Sequence, residues 1–167
     1  MDLSGKTALI TGSTSGIGYA IAEGLASKGV NIFLHSITDN KTDHQLAAKL
    51  SKKFSIKTNY LQANLSSSSA ARDLVRRTKH IDILINNAGL QHVSPIEKLE
   101  ISTWDTMIAV MLSAVFHTTA IALPMMKGSG WGRIINISSA HGLVASSQKS
   151  AYAVSYTHLT LPTRDDV

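Results

Sequence analysis

Short apolar runs alternate with longer amphipathic stretches between residues 6 and 137. The runs are rich in Val, Ile and Leu, as expected of strands that are buried on both faces. This order is typical of βαβ units, in which helices join parallel strands. The sequence therefore predicts an α/β fold with a doubly wound parallel sheet. We expect strands at 7–11, 30–35, 57–62, 81–86 and 133–137, and helices at 16–28, 39–53, 67–79 and 102–126.

Local residues suggest where two of these helices begin and where the longest one is interrupted. Ser66 can cap the third helix and Ser102 the fourth, because a serine hydroxyl accepts a hydrogen bond from a first-turn amide. Pro124 is expected to end or kink the fourth helix, since proline removes a backbone donor.

Composition limits the chemistry available to the chain. With 167 residues, 44% of them hydrophobic, it can bury one sizeable core, and we expect a single domain. The absence of cysteine excludes disulfides, Cys-ligated metals and a thiol nucleophile, and it fits a reducing cytoplasm. Redox chemistry would therefore need a borrowed cofactor.

Charge and hydropathy argue against two classes of partner. The formal charge is +5, but the basic residues are dispersed, and we expect no nucleic-acid partner. The start of the chain, MDLSGKTALI, lacks the features of a signal peptide, and no stretch approaches 18 uninterrupted apolar residues. We expect a cytoplasmic protein without a membrane partner.

A glycine-rich loop, TGSTSGIG at 11–18, joins the first predicted strand to the first helix. Gly12, Gly16 and Gly18 lie where the backbone must turn sharply and come close to a ligand. Loop amides and a helix N-terminus form a natural seat for a pyrophosphate. The spacing Gly-x-x-x-Gly-x-Gly is a variant of the common dinucleotide fingerprint.

Further motifs follow the later strands: NNAG at 86–89, Ser139, and Tyr152 thirteen residues after it. Together with the glycine-rich loop, they resemble those of the short-chain dehydrogenase/reductases, over residues 1 to about 154. The resemblance implies a Rossmann-type sheet of order 3-2-1-4-5 and an incomplete NAD-binding domain at 1–153 that lacks the last two strands. The segments NNAGLQHVSPIEKL, LSAVFHTT and WGRIINISSAHGLVASSQKSAY are similar to the branch of this family that interconverts D-3-hydroxybutyrate and acetoacetate with NAD.

NAD rather than NADP is the expected cofactor. Ser36 stands where the family often places an Asp, and no Arg or Lys in LHSIT (34–38) could hold a 2′-phosphate; Lys41 lies further on. Asn64 stands where many relatives have an Asp near the adenine. The resemblance assigns cofactor binding to Gly12, Ser13, Ser15, Gly16, Ile17, Gly18, Ser36, Asn64, Leu65, Asn86, Ala88, Gly89 and Tyr152.

Oxidation of an alcohol requires a group that removes the hydroxyl proton as the hydride leaves. By resemblance Tyr152 has this role, and Ser139 hydrogen-bonds both the substrate oxygen and the phenol. A hydroxy or keto acid also carries a carboxylate, which needs donors at the strand ends. The resemblance assigns substrate binding to Gln91, Ser139, His141 and Lys149. We expect structural roles for His44, His92 and His117, and no metal site.

Two residues depart from the family pattern. The lysine expected four residues after Tyr152 is replaced by Tyr156, which cannot supply a positive charge. Met111 stands where relatives have an Asn of the proton relay, and a thioether is no donor. We therefore expect loss of most activity. A catalytically inactive dinucleotide-binding or regulatory module is the alternative function.

Residues 154–167 look foreign to the family. We expect a non-native tail such as a translated sequencing adapter; a natural frameshift or a divergent tail are the alternatives. Without the last two strands, Ile134, Ile135 and Ile137 would lie at an exposed apolar sheet edge. The family is usually homotetrameric, and we do not expect this chain to assemble normally.

Overall fold

The computed structural model describes residues 2–144, 146–157 and 159, and its strands form one parallel sheet. The strand order is β3-β2-β1-β4-β5, as the resemblance implied. Each strand lies within one or two residues of its predicted bounds. The strands are β1 (Thr7–Ile10), β2 (Asn31–Ser36), β3 (Thr58–Gln62), β4 (Ile83–Asn86) and β5 (Arg133–Asn136).

Helices cover both faces of this sheet, so the doubly wound arrangement is confirmed. On one face the core includes Ala22 of α1 and Leu50 of α2, packed on Ile10 and Ile32. On the other face Leu74 of α3 and Ala122 of α5 pack on Leu9 and Leu84. The helices are α1 (Gly16–Ala26), α2 (Lys41–Phe54), α3 (Ser68–Arg77), α4 (Ile101–Ile108), α5 (Ala114–Ser129) and α6 (Ser150–Thr157).

The long predicted helix is interrupted, but not at Pro124. Its irregular part is a π-helical segment, Ala109–Ser113, which carries the buried Met111 and joins α4 to α5. Helix α5 continues through Pro124 to Ser129. Ala122 and Met126 are buried against the sheet on either side of the proline, and this packing holds the segment helical despite the lost donor.

Three details at helix ends differ from expectation. Ser67, not Ser66, caps α3 by accepting a hydrogen bond from the Ala70 amide. Glu100 rather than Ser102 precedes α4. Helix α6, which is not among the helices predicted from the pattern, runs to Thr157 and so includes residues 154–157 of the segment that looks foreign to the family. In its last turn, the backbone of Tyr156 lies against the turn at Gly142.

Two apolar surfaces remain exposed. Strand β5 is an edge of the described sheet, and Ile135 is 49% exposed there. The helical stretch Ile101–Ser129 is long and apolar enough to cross a membrane by length and composition alone. One side of it packs into the core through Met107, Met111 and Met126. Its outer side leaves Phe116 and Ile101 in contact with solvent.

Candidate functional site

The glycine-rich loop after β1 packs tightly against the end of β4. Gly12 has φ +61°, and a Cβ there would lie 2.9 Å from the Cα of Ala88. A Cβ at Gly18 would lie 2.5 Å from Nδ2 of Asn87 and would overlap the Gly12 carbonyl. Only glycine therefore fits at these two positions, one because of its backbone conformation and both because of close approach.

Within this loop, the first amides point into the protein. The Gly12 amide donates to Nδ1 of His35 at 3.0 Å, and the Ser13 amide donates to the His35 carbonyl at 2.9 Å. An anion would therefore meet the amides at the start of α1, which have no intrahelical partner. Ser15 is the exposed N-cap of α1, and its side chain makes no capping hydrogen bond. A Cβ at Gly16, which has φ +53°, would face open space.

Thr11 and Asn87 join the loop to the NNAG segment after β4. Oγ1 of Thr11 accepts hydrogen bonds from the amides of Asn87 at 2.9 Å and Ala88 at 3.0 Å. Nδ2 of Asn87 donates to the carbonyls of Thr11 and Gly12. The side chain of Asn86 instead points inward, where Nδ2 donates to Oδ1 of Asn136 at 2.9 Å. The two asparagines thus fix the end of β4.

A cleft of about 290 Å³ lies at the carboxyl ends of β1, β2 and β4, where open α/β sheets bind ligands. Seven predicted cofactor residues line it: Gly12, Ser15, Ser36, Asn64, Leu65, Ala88 and Gly89. The structure adds Thr14, His35, Ile37, Ala63, Asn87, Leu90 and Val110 to its walls. The other predicted residues, Ser13, Gly16, Ile17, Gly18, Asn86 and Tyr152, are not among these lining residues.

At the end of β2, a chain of hydroxyl groups connects Ser36 to a carboxylate. Oγ of Ser36 lies 3.4 Å from Oγ1 of Thr38, which donates to Oδ2 of the buried Asp43 at 2.6 Å. The hydroxyl of Tyr60 donates to the Thr38 carbonyl. Burial and the Asp43 carboxylate raise the pKa of Tyr60. The lining residues of the cleft include no Lys or Arg.

The predicted catalytic residues lie after β5 and on α6. Ser139 precedes a short 3-10 turn, and its Oγ accepts a hydrogen bond from the His141 amide at 3.2 Å. The rings of His141 and Tyr152 meet edge to face, with centroids 5.8 Å apart. An open groove of about 510 Å³ passes Ser139 and Tyr156. The structure thus brings Ser139, His141 and Tyr152 to one region.

The other two predicted substrate residues lie on loops that touch each other. Gln91 follows β4 and is exposed, and Lys149 directly precedes α6 and is partly exposed. The Ser94 amide donates to the Gln148 carbonyl at 2.9 Å, which ties the loop after β4 to the loop before α6.

Tyr156 and Met111, the two departures from the family pattern, belong to one apolar cluster with Tyr152, Met107 and Ala151. The Tyr156 hydroxyl lies over Gly89 at the edge of the cleft, 3.0 Å from where a Cβ on that glycine would be. Burial and the neighbouring Tyr152 hydroxyl raise the pKa of Tyr156. An apolar contact therefore occupies the place where the family pattern predicts a charged and polar relay.

Two of the seven lining residues that sequence reasoning missed, His35 and Asn87, also hold other loops of the site. His35 and Asn87 are adjacent to predicted site residues, but the loops that they bind are distant in sequence. A signal was present for His35, since a polar residue inside an otherwise apolar strand needs a partner. Among the described residues, no three or more His, Asp or Glu side chains lie together in a way that could hold a metal ion.

Fold and cleft together define an α/β protein with an open cleft at the carboxyl edge of a parallel sheet, the place where proteins of this architecture bind nucleotides. The sequence profile described as short chain dehydrogenase matches residues 6–161, and the chain belongs to that family.

The chain is similar in sequence to two dehydrogenases. Over 154 residues the chain is 47% identical to a D-beta-hydroxybutyrate dehydrogenase of Cupriavidus necator, covering 90% of this chain and 59% of that protein. It is also 47% identical to a protein of the same name from Rhizobium meliloti, covering 88% and 58%. The chain thus spans less than two thirds of the length of these relatives.

A solved structure shows the same fold. L-sorbose reductase from Gluconobacter frateurii, complexed with NADPH and L-sorbose, superposes with a TM-score of 0.89 at 30% identity. The match covers 95% of this chain and 62% of that one.

Proposed function

We propose that this chain carries the cofactor-binding part of an NAD-dependent oxidoreductase that transfers a hydride between NAD(H) and D-3-hydroxybutyrate or acetoacetate. The observation that carries the proposal is the cleft between the glycine-rich loop, Ser36 and the NNAG segment. The names of the two 47% identical relatives support the substrate.

NAD is proposed over NADP because of the polarity around Ser36. A 2′-phosphate needs a cation, and the residues lining the cleft include no Lys or Arg. The hydroxyl chain from Ser36 through Thr38 ends on the Asp43 carboxylate, which would repel a phosphate. When the hydroxyls donate toward Asp43, the Ser36 oxygen can accept a hydrogen bond from a ribose hydroxyl. The solved relative described above was complexed with NADPH, so this preference distinguishes the chain from that neighbour.

Three of the proposed substrate and catalytic residues, Ser139, His141 and Tyr152, lie near one another after β5 and on α6. Ser139 would donate to the substrate oxygen, and Tyr152 would exchange a proton with it. His141, Gln91 and Lys149 would bind the carboxylate from the adjoining loops. The bound nicotinamide would supply the hydride acceptor.

A second candidate function is a dinucleotide-binding module without turnover. The apolar cluster of Tyr156, Met111 and Tyr152 favours it, because neither a phenol nor a thioether supplies the cation that activates a tyrosine at neutral pH. We propose that the chain as it stands binds NADH and turns over little or no D-3-hydroxybutyrate.

The proposed partners are a small hydroxy or keto acid and no nucleic acid or membrane, in the cytoplasm. The +5 charge is dispersed over the sequence, and the most apolar helix packs on the sheet through one side. Phe116 and Ile101 are exposed on α5 and α4, but we propose that this chain does not form the homotetramer usual in the family.

Binding of NADH and of NADPH, measured by calorimetry, tests the proposed function. Ser15→Asp places a carboxylate at the N-cap of α1, where it stabilises the helix but repels a pyrophosphate, and should weaken NADH binding by at least about tenfold. Ser67→Asp makes the same change at the N-cap of α3, away from the cleft, and should leave binding unchanged.

A folded protein with no saturable NADH binding would refute the proposed function. Turnover of D-3-hydroxybutyrate with NAD, followed by absorbance, separates the two candidates. Rates like those of an active dehydrogenase would refute the inactive module, and NADH binding without turnover would support it.

A further inference from the structure

His35, near the end of β2, binds two loops through the two nitrogens of one buried ring. It is 3% exposed and lines the cleft. Nδ1 accepts the Gly12 amide at 3.0 Å, and Nε2 lies 3.1 Å from the Ala63 carbonyl. Gly12 lies at the start of the glycine-rich loop, whereas Ala63 follows β3. A single side chain thus connects the loops after β1 and β3.

We propose that His35 is a positioning residue for the dinucleotide. Its neutral imidazole, protonated at Nε2, fixes the first turn of the glycine-rich loop by accepting a hydrogen bond from the Gly12 amide. This inference rests on the proposed function insofar as the loop holds a dinucleotide.

The hydrogen bonds determine the tautomer. A backbone amide can only donate, so Nδ1 must be unprotonated to accept from Gly12. A carbonyl can only accept, so Nε2 must carry the hydrogen that reaches Ala63. Burial lowers the pKa of His35 to about 4, against a smaller effect of the Ala63 hydrogen bond, and Arg77 lowers it further. The ring is therefore neutral at pH 7.

The backbone of His35 reinforces the same attachment. Its amide donates to Oγ of Ser13 at 2.9 Å, and its carbonyl accepts the Ser13 amide at 2.9 Å. Oγ of Ser13 in turn donates to the Ile10 carbonyl at 2.7 Å. With the Gly12 bond, these contacts hold the loop before any ligand arrives, which lowers the ordering cost of binding.

Two substitutions separate the two ring contacts. In His35→Asn the side-chain oxygen can reach the position of Nδ1 and keep the Gly12 bond, but nothing reaches Ala63. In His35→Gln the longer amide can reach the position of Nε2 and keep the Ala63 bond, but the Gly12 amide loses its acceptor. Both variants lose one hydrogen bond, so a purely structural role predicts similar behaviour.

The first readout is hydrogen exchange of the Gly12 amide in the protein without ligand. We expect H35N to keep the wild-type protection and H35Q to lose about tenfold or more of it, as expected for one hydrogen bond. Equal Gly12 protection in the two variants would overturn the inference. Because no ligand is present, this result does not depend on the proposed function.

The second readout is NADH affinity. We expect H35N to bind within about threefold of wild type and H35Q about tenfold more weakly. His44→Gln, on the surface of α2, is the control and should bind like wild type. Equal NADH affinity of H35N and H35Q would overturn the positioning role. If wild type binds no NADH while the Gly12 contrast is present, the proposed function fails and the loop-fixing role of His35 stands.

A third test uses the wild-type protein, so it does not require any variant to fold. Nitrogen-15 NMR of the His35 ring at pH 7 should show an unprotonated Nδ1 and a protonated Nε2. The opposite tautomer, or an imidazolium, would overturn the inference.

Discussion

The rings of Tyr152 and Tyr156 meet edge to face on α6, with centroids 4.8 Å apart and planes inclined by 72°. One is the predicted proton-transfer residue, and the other occupies the position of the family lysine. Their contact continues into Met111, so both departures from the family pattern fall in one apolar cluster. The two departures are separate in the sequence, but in the fold they lie together and replace polar side chains by apolar ones at one place.

The first prediction concerns this exchange. In the double variant Met111→Asn, Tyr156→Lys a cation and an amide replace the apolar groups beside Tyr152, and turnover of D-3-hydroxybutyrate should rise by at least about tenfold. Each single variant should gain less, because an unpaired polar group in the cluster is costly. Tyr152→Phe in the double background should remove the gain. A folded, NADH-binding double variant without added turnover would contradict the prediction.

Glycine replacements in α1 should have opposite effects on stability. Gly18→Ala places a Cβ against the Gly12 carbonyl and Asn87, and should lower the free energy of unfolding by about 3 kcal/mol. Gly24→Ala meets nothing within 4 Å and should raise it by about 0.5 to 1 kcal/mol. Urea denaturation followed by circular dichroism measures both. Similar effects of the two changes would show that the loop can yield at Gly18.

Cofactor choice should respond to the charge at the end of β2. Ser36→Asp should favour NADH over NADPH more strongly, because a carboxylate accepts from a ribose diol and repels a 2′-phosphate. Ser36→Arg should shift the preference toward NADPH by about tenfold or more. Calorimetry with both dinucleotides gives the ratio. Identical ratios in the two variants would place the 2′-position elsewhere.

Acid should destabilise the protein through His35. Its pKa is about 4 in the folded state and about 6.5 when unfolded, so the unfolded chain binds more protons between these values. Its contribution to stability is complete above pH 6.5, falls as the pH is lowered, and is lost near pH 4. The loss amounts to about 3 kcal/mol.

Denaturation at successive pH values measures this slope. His35→Asn should flatten it between pH 6.5 and 4, whereas His44→Gln, a change on the surface, should keep it. An unchanged slope in H35N would assign the acid sensitivity to other groups.

The exposed edge of β5 should promote self-association. Ile135→Lys puts a charge on the half-exposed position and should slow aggregation, measured by light scattering, at little cost in stability. Ile134→Lys, on the neighbouring residue that packs against the α3 and α5 side of the core, should instead destabilise the fold. Aggregation of I135K at the wild-type rate would locate the sticky surface elsewhere, for example at Phe116.

The order of strands and helices was predictable because it follows from local sequence patterns. All five strands lie close to their predicted positions, and the glycine-rich loop follows β1 as expected. The helix details were less predictable. Pro124 was expected to break a helix, but burial of Ala122 and Met126 outweighs the lost backbone donor. Seven of the predicted cofactor residues line the cleft, since chain order alone brings the strand ends together.

By itself, the sequence determined the parallel sheet, the glycine-rich loop, the family, and the absence of a lysine after Tyr152, because periodicity and motif spacing are properties of neighbouring residues. Only the tertiary structure decided that His35 binds Gly12 and Ala63, that Asn86 points inward, and that Met111 meets Tyr156. These contacts join residues more than 20 positions apart. Packing and hydrogen bonding of the folded chain select them, and no local pattern records that choice.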